Sequence, residues 1–364
     1  MNKKLCVIFY NKYNLREKDY FPKVYFLNLL TRKLEEHNYR IILLKSDYPN
    51  EIKKIKEKIH LLLNFEDYYI RFSREFHSNM NLKQVYKFFV DLEKSGTKIY
   101  PPPKFHIYTN SKKYALQIYK KKEFVLPHSK TFLLKKTKLW EPIIKYCKKL
   151  NKLCDFIVIK VSFSADMIDI FYIRNNKSKT IRNKFIEYEE FNKVIQLYNS
   201  YIDKDELDLV IIIQPYNIIV SNRLTEYRLW FLDGEFVNYF CHGPIKENDK
   251  IRLLDNVKYN PQNKIHFELV SLANKLYKFI VSKNKNVKIL ALRLDMSYAI
   301  DDIFIDKYSK IINNQKYRFY CNEMENIDGT FYINIPILNT ITNKKEDTSF
   351  FQNKLVKILI DNLT

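Results

Sequence analysis

The sequence predicts an α/β layer followed by two α+β units, and three observations predict it. Through the first hundred residues, short apolar runs alternate with stripes of helical spacing. Pro101-Pro102-Pro103 then breaks the chain, and beyond it strands and helices no longer alternate regularly. Two Asp-Gly pairs, Asp233-Gly234 and Asp328-Gly329, sit between strand-like segments and mark tight hairpins in the last third. At 364 residues and 46% hydrophobic content, the chain has length for two or three domains and enough apolar surface for real cores.

Leu5–Tyr10 reads as a first strand; at six apolar residues it is short for a secretory signal. Val24, Leu27, Leu30 and Leu34 line one face of a helix. Arg40–Leu44 is a second strand, and Ile52, Ile55 and Ile59 stripe a short helix. His60–Asn64 is a third strand, Leu82, Val85, Phe89 and Leu92 mark another helix, and Thr97–Tyr100 is a fourth strand, with Gly96 at the turn. This βαβαβαβ order predicts a small parallel sheet over residues 1–103. It holds no GxGxxG, so it need not bind a dinucleotide.

The second unit, 104–214, reads as a helix around Ser111–Lys121, a stop at Leu126-Pro127, a strand Thr131–Leu134 and a helix Trp140–Leu150. The strand Phe156–Val161, its hairpin partner Ile168–Ile173, a helix Phe191–Tyr198 and the apolar strand Leu209–Gln214 follow. The third unit, 215–364, opens with the hairpin Tyr227–Phe240. A helix Phe267–Val281 precedes two strands that carry acidic residues, and a last helix lies near Ser349–Ile360. Asp306–Lys316 reads as a polar insertion between the acidic strands.

Composition narrows the function classes. No apolar run reaches the 18 residues of a membrane span, so no membrane partner is expected. The five cysteines form no CxxC pair, which points to reduced thiols in a cytoplasmic setting. The seven histidines form no zinc motif. The net charge is +22, and residues 104–184 hold 20 Lys/Arg against 5 Asp/Glu. That segment is either a solvated lysine surface or a footprint for a polyanion.

The chemistry concentrates near the C-terminus. Arg293-Leu294-Asp295 and Asn322-Glu323-Met324-Glu325 each end a strand-like run, so their carboxylates can converge on one face. Oxygen-only ligands of this kind suit Mg²⁺, which binds a few carboxylates together with nucleotide phosphates. Upstream, Lys112 follows the proline break with Lys113 beside it, and Lys160 ends a buried strand. Gln214-Pro215-Tyr216 ends another, and Glu226-Tyr227-Arg228 opens the hairpin that turns at Asp233-Gly234.

In this order the features resemble the ATP-grasp superfamily, over roughly residues 100–335, with the first hundred residues similar to its usual N-terminal α/β domain. The resemblance implies an α/β N-terminal domain followed by the two α+β subdomains of an ATP-grasp fold, closing on ATP between them. It implies that Lys112 and Lys160 contact the ATP phosphates. It makes Gln214 and Tyr216 the hinge that holds adenine, with Glu226 also at the nucleotide. Arg228 and Arg293 would face the transferring phosphoryl group, and Asp295, Glu323 and Glu325 would bind Mg²⁺. The implied reaction is ADP-forming ligation: a carboxylate becomes an acyl phosphate, which an amine or thiol attacks. The basic segment would suit an acidic peptide or protein acceptor.

There are two departures from the family pattern. The loop after Lys160 is Ser162-Phe163-Ser164-Ala165-Asp166, without glycine, and Glu325 stands where Asn is frequent. The serines and backbone N–H groups of that loop could still cradle a phosphate. Two other readings stay open. One is a non-ligase ATP-grasp protein acting as an ATP-dependent assembly chaperone, which the glycine-free loop fits. The other is nucleic-acid binding through the basic segment, which no RRM, KH, zinc-finger or helix-turn-helix signature supports.

Overall fold

The structure, a computed structural model, describes residues 3–9, 20–44, 48–65, 82–134, 140–162, 170–174, 209–217, 226–242, 245–247, 250–252, 256–326, 337–339, 341–346 and 349–364. The expected helix Phe191–Tyr198 and the turn at Asp328-Gly329 lie outside them.

Strands β1 (Lys4–Phe9), β2 (Tyr39–Leu44), β3 (Ile59–Asn64) and β4 (Lys98–Tyr100) form a sheet in the order β2-β1-β3-β4, parallel throughout. Helices α1 (Tyr20–Glu36), α2 (Tyr48–Lys54) and α3 (Leu82–Lys94) connect them. The alternation along β1 sorts its side chains by face. Leu5, Val7 and Phe9 pack with Ile52, Val85 and Phe89, whereas Cys6 and Ile8 pack with Leu30 and Leu34 of α1. Ile59 departs from expectation: it opens β3 opposite Leu5 instead of ending α2. Pairing with a buried strand outweighs the weak preference of three isoleucines for helical spacing.

Past the prolines, α4 (Pro103–Asn110) and α5 (Lys113–Ile118) replace the one helix expected around Ser111–Lys121. Proline is well placed at the start of a helix, where its missing N–H would have no partner. Strand β5 (Lys130–Leu134), helix α6 (Trp140–Leu150), β6 (Phe156–Val161), β7 (Ile170–Arg174) and β8 (Leu209–Pro215) then form an antiparallel sheet, order β5-β8-β6-β7. Ile143, Cys147 and Leu150 of α6 cover its one face, against Ile157, Ile159, Ile211 and Ile213.

The hairpin β9 (Tyr227–Leu232) and β10 (Glu235–His242) turns at Asp233 (φ 47°) and Gly234 (φ 90°). Two positive φ values in a two-residue loop match the right-handed twist of the strands. After β11 (Ile245–Glu247), β12 (Lys250–Arg252) and β13 (Asn256–Lys258), Asn263 caps α7 (Lys264–Lys283), accepting from the N–H groups of Ile265 and His266. Strands β14 (Ala291–Ala299), β15 (Lys310–Ile312), β16 (Gln315–Glu325), β17 (Ile337–Asn339) and β18 (Lys344–Glu346) complete an eight-stranded sheet, order β15-β16-β14-β9-β10-β13-β17-β18. The segment read as a polar insertion supplies β15, which pairs with the start of β16.

One face of this sheet, through Leu229, Phe231, Leu292, Leu294 and Met324, packs on Leu269, Ala273 and Leu276 of α7. Trp230 and Leu232 of β9 join the α1 side of the parallel sheet, together with Phe351, Leu355 and Leu359 of the last helix, α8 (Ser349–Leu363). The end of the chain is therefore built into a core shared with its beginning.

Candidate functional site

Register builds the site. In the adjacent strands β9, β14 and β16, Asp295 lies opposite Arg228 on one side and Glu323 on the other; Arg293 lies opposite Glu325. Residues two apart share a face, so these five side chains form one patch. The intervening Leu294 and Met324 belong to the α7 core. The carboxylates of Asp295, Glu323 and Glu325 offer oxygens that all lie within 4.8 Å of one another.

Between the pairs Asp295/Glu323 and Met296/Cys321 the register slips, leaving Asn322 as an extra residue on β16. A bulge of this kind re-aims a side chain. Asn322 Oδ1 accepts from Lys160 Nζ (2.8 Å) and Gln214 Nε2 (3.2 Å), its carbonyl accepts from Lys160 (3.1 Å), and its Nδ2 donates to Glu226 (2.7 Å). One residue thus ties the end of β6, the end of β8 and the approach to β9 to the acidic strand. Asn322 stands within the acidic motif with nothing in the sequence to mark its role; only the strand register shows the bulge.

Lys112 arrives from the kink between α4 and α5. It holds a left-handed conformation (φ 53°, ψ 23°) at the N-cap of α5, and its Nζ meets Glu323 Oε1 at 2.5 Å. A non-glycine residue in this region costs about 1–2 kcal/mol. Beside it, Ser111 is buried, and its Oγ has no hydrogen-bond partner among the described residues. Ser162, at the start of the glycine-free loop, donates its Oγ to the Ser111 carbonyl (2.7 Å). That hydroxyl therefore joins two segments of the protein; residues 163–166 of the loop lie outside the described ones.

Arg293 and Asp295 are both 2% exposed. Arg293 donates from Nε and Nη2 to the two Asp295 oxygens (2.8 and 2.9 Å), and Nη2 also reaches Glu325 at 2.6 Å. Arg228 Nε stands 3.8 Å from Asp295. The hinge residues take different places. Gln214 is buried and also accepts from the Tyr119 hydroxyl (3.3 Å). Tyr216 packs edge-on against Phe156, and its N–H donates to the Phe156 carbonyl (2.9 Å), so that N–H is engaged within the protein.

Electrostatics follows from crowding. Burial would raise the Glu323 carboxyl, but Lys112 and Lys160 outweigh it and hold the group near 2. Glu325 goes the other way: burial first, then Glu323 and Asp295, push it up to about 8 against the pull of Arg293. Burial and the neighbouring Lys112 lower Lys160, while Glu323, Glu226 and Asp295 support its charge. Cations and carboxylates are thus arranged as counterparts, with Lys112 and Arg293 neutralising oxygens that a divalent cation would otherwise hold.

The residues fit a hard divalent cation and a phosphate chain. Three carboxylates converge, and Glu325, raised first by burial and then by its two acidic neighbours, is a group whose negative charge a cation would favour. The unpartnered Ser111 hydroxyl beside Lys112 offers a donor to a phosphate oxygen.

No family model and no curated protein matches the sequence. Solved structures match its fold. D-cycloserine synthetase DcsG is 11% identical with a TM-score of 0.59, over 99% of this chain and 100% of that one. D-alanyl-alanine synthetase A from Vibrio cholerae O1 biovar eltor str. N16961 is 10% identical at 0.54, over 99% of both chains. D-alanine–D-alanine ligase from Bacillus anthracis is 14% identical at 0.50, over 99% of this chain and 96% of that one. At these identities the likeness is one of fold.

Proposed function

We propose that this chain, whose fold is that of the ATP-grasp superfamily, is an ATP- and Mg²⁺-dependent ligase. It activates a carboxylate as an acyl phosphate, which an amine or thiol attacks, and releases ADP. The observation that carries this reading is the convergence of Lys112, Lys160, Arg228 and Arg293 on Asp295, Glu323 and Glu325. They come from segments far apart in sequence. Phosphoryl transfer needs such a set, because positioning and charge neutralisation supply most of its catalysis. The names of the similar structures, a D-cycloserine synthetase, a D-alanyl-alanine synthetase and a D-alanine–D-alanine ligase, support a ligase.

In this proposal Asp295, Glu323 and Glu325 hold Mg²⁺, which when bound offsets charge on the phosphate oxygens. Lys112, Lys160 and the Ser111 hydroxyl bind the phosphates. Arg293 and Arg228 steady the phosphoryl group as it transfers. Gln214, Tyr216 and Glu226 border the nucleotide, with Asn322 as the residue that positions Lys160 and Gln214. We assign the layer 1–103 and the loops around it to the acceptor, and the units 104–214 and 215–364 to the two sides of the nucleotide site. The basic segment favours an acidic peptide or protein as acceptor.

The test traps the intermediate. The protein is incubated with ATP, Mg²⁺, hydroxylamine and a panel of carboxylic acids that includes acidic peptides. Hydroxamate formed in step with ADP, and lost in Arg293→Met, is the expected result. ATP that stays intact with every acid, while one protein partner binds stoichiometrically, would favour the chaperone reading.

A further inference from the structure

We propose that the cleft between residues 122–130, Tyr146 and residues 306–308 is a second ligand site, which takes a phosphate-bearing small molecule. The cavity is about 780 Å³, within the range of small-molecule sites. Its walls are the segment that leads into β5, one tyrosine of α6, and the turn ahead of β15. None of the nucleotide-site residues lines it. Arg318, whose partners frame it, lies five positions before Glu323 on β16, roughly 16 Å along the strand.

Charge in the cleft is one-sided. Lys122, Lys130 and Lys307 line it, all exposed, and among the described residues none has a carboxylate partner. The acidic lining residue, Asp306, is already engaged: its Oδ1 stands 2.9 Å from Arg318 Nε and accepts from the Tyr308 N–H. Lys130 lies 5.2 Å over the Tyr146 ring and Lys307 5.2 Å over the Tyr308 ring, so each ammonium is held near an aromatic wall. Compact ammonium groups act as point charges and can bind phosphate without the arginine fork, which suits carboxylate and phosphate alike.

The second observation is Ser129. It lines the cleft at 4% exposure, and its Oγ is buried without a hydrogen-bond partner among the described residues. A buried hydroxyl left unpaired is costly, and a ligand oxygen would satisfy it. The backbone presents Ser129 in a turn with Pro127 second and His128 third at φ 60°, closed by Ser129 N–H to the Leu126 carbonyl (3.2 Å). The third position of such a turn normally takes glycine or asparagine. Here the Tyr146 hydroxyl holds it, donating to the His128 carbonyl (2.6 Å). Arg318 fixes the other wall, donating to the carbonyls of Lys122 (2.5 Å), Glu123 (3.1 Å) and Val125 (2.9 Å). The site is therefore preformed, and it bridges the lead into the β5 sheet and the strand that carries Asn322, Glu323 and Glu325. It does not depend on the nucleotide reading.

The experiment is titration of the full-length Lys160→Ala protein with inorganic phosphate at constant ionic strength, with acetate as the control anion. Saturable phosphate binding is expected, at least tenfold weaker in a Lys122→Ala/Lys130→Ala/Lys307→Ala variant of that protein and several-fold weaker in Ser129→Ala. Placed in the wild-type chain, the triple lysine substitution should leave ATP affinity within twofold. Phosphate binding that is absent, that survives the triple substitution or that acetate equals would overturn the proposal. Failure of wild type to bind ATP would overturn only the nucleotide reading.

Discussion

Lys112 occupies the place where charge is to be exchanged. Its ammonium stands 2.5 Å from Glu323 and, together with Lys160, holds that carboxyl near 2. A phosphate chain would draw the ammonium away and leave the carboxylate to the cation. Lys112→Met should therefore weaken ATP binding at least tenfold while strengthening the binding of Mn²⁺ alone, a split that calorimetry of each ligand reads. Loss of both, or of neither, would contradict the exchange. Glu325 gives a pH signature. Its carboxyl is pushed up to about 8, so below that pH it is protonated and must lose a proton before it can hold a cation. Cation affinity should then rise by up to roughly tenfold per pH unit between pH 6 and 8 and level above. Glu325→Gln should bind more weakly with that slope removed, and an unchanged slope would place the titrating group elsewhere. At this scale the sequence showed which residue types were present and in what order. It did not show that the buried Ser111 hydroxyl has no hydrogen-bond partner among the described residues or that the Tyr216 N–H is engaged by Phe156, because both depend on packing between distant segments.

Strand β16 does two jobs along its length. Its second half carries the bulge at Asn322, which gathers Lys160, Gln214 and Glu226. Asn322→Ala leaves those groups short of partners and should cost about 1–3 kcal/mol, read by urea unfolding. It should also weaken ATP binding several-fold, because Lys160 loses its anchor. Full ATP affinity in a destabilised variant would make Asn322 structural only. The first half carries Arg318, 1% exposed, which binds three carbonyls of 122–125 and Asp306. Arg318→Met leaves three carbonyls of 122–125 without this donor and should cost about 1–3 kcal/mol, measured as a lowered unfolding midpoint. Elements with a clean period were legible in the sequence: α6 and β6 fall where the apolar spacing put them. Helix α4 was not, because Pro101-Pro102-Pro103 reads as a stop, while Pro103 in fact opens a helix. The bulge was not legible either, since it exists only in the register between β14 and β16.

On the scale of the whole molecule, the chain ends interlock. Leu30 and Leu34 of α1, Trp230 of β9 and Leu355 and Leu359 of α8 share one core. The parallel sheet should therefore melt with the large sheet in one calorimetric transition, and Leu355→Ala should lower it by about 2–5 kcal/mol. A separate early transition for residues 1–103 would contradict that coupling. Local periodicity cannot reveal such sharing, which is why the sequence predicted the layer and not what covers it. Among the described residues no helix is long and apolar enough to cross a membrane, in line with the short apolar runs. The central claim is that distant segments meet to form one Mg²⁺–ATP site, and calorimetric titration of ATP with and without Mg²⁺ tests it most directly. The account predicts binding by wild type that requires Mg²⁺ and fails in both Lys160→Ala and Asp295→Asn/Glu323→Gln. A folded wild-type protein that does not bind ATP, or binding indifferent to these substitutions, would contradict it.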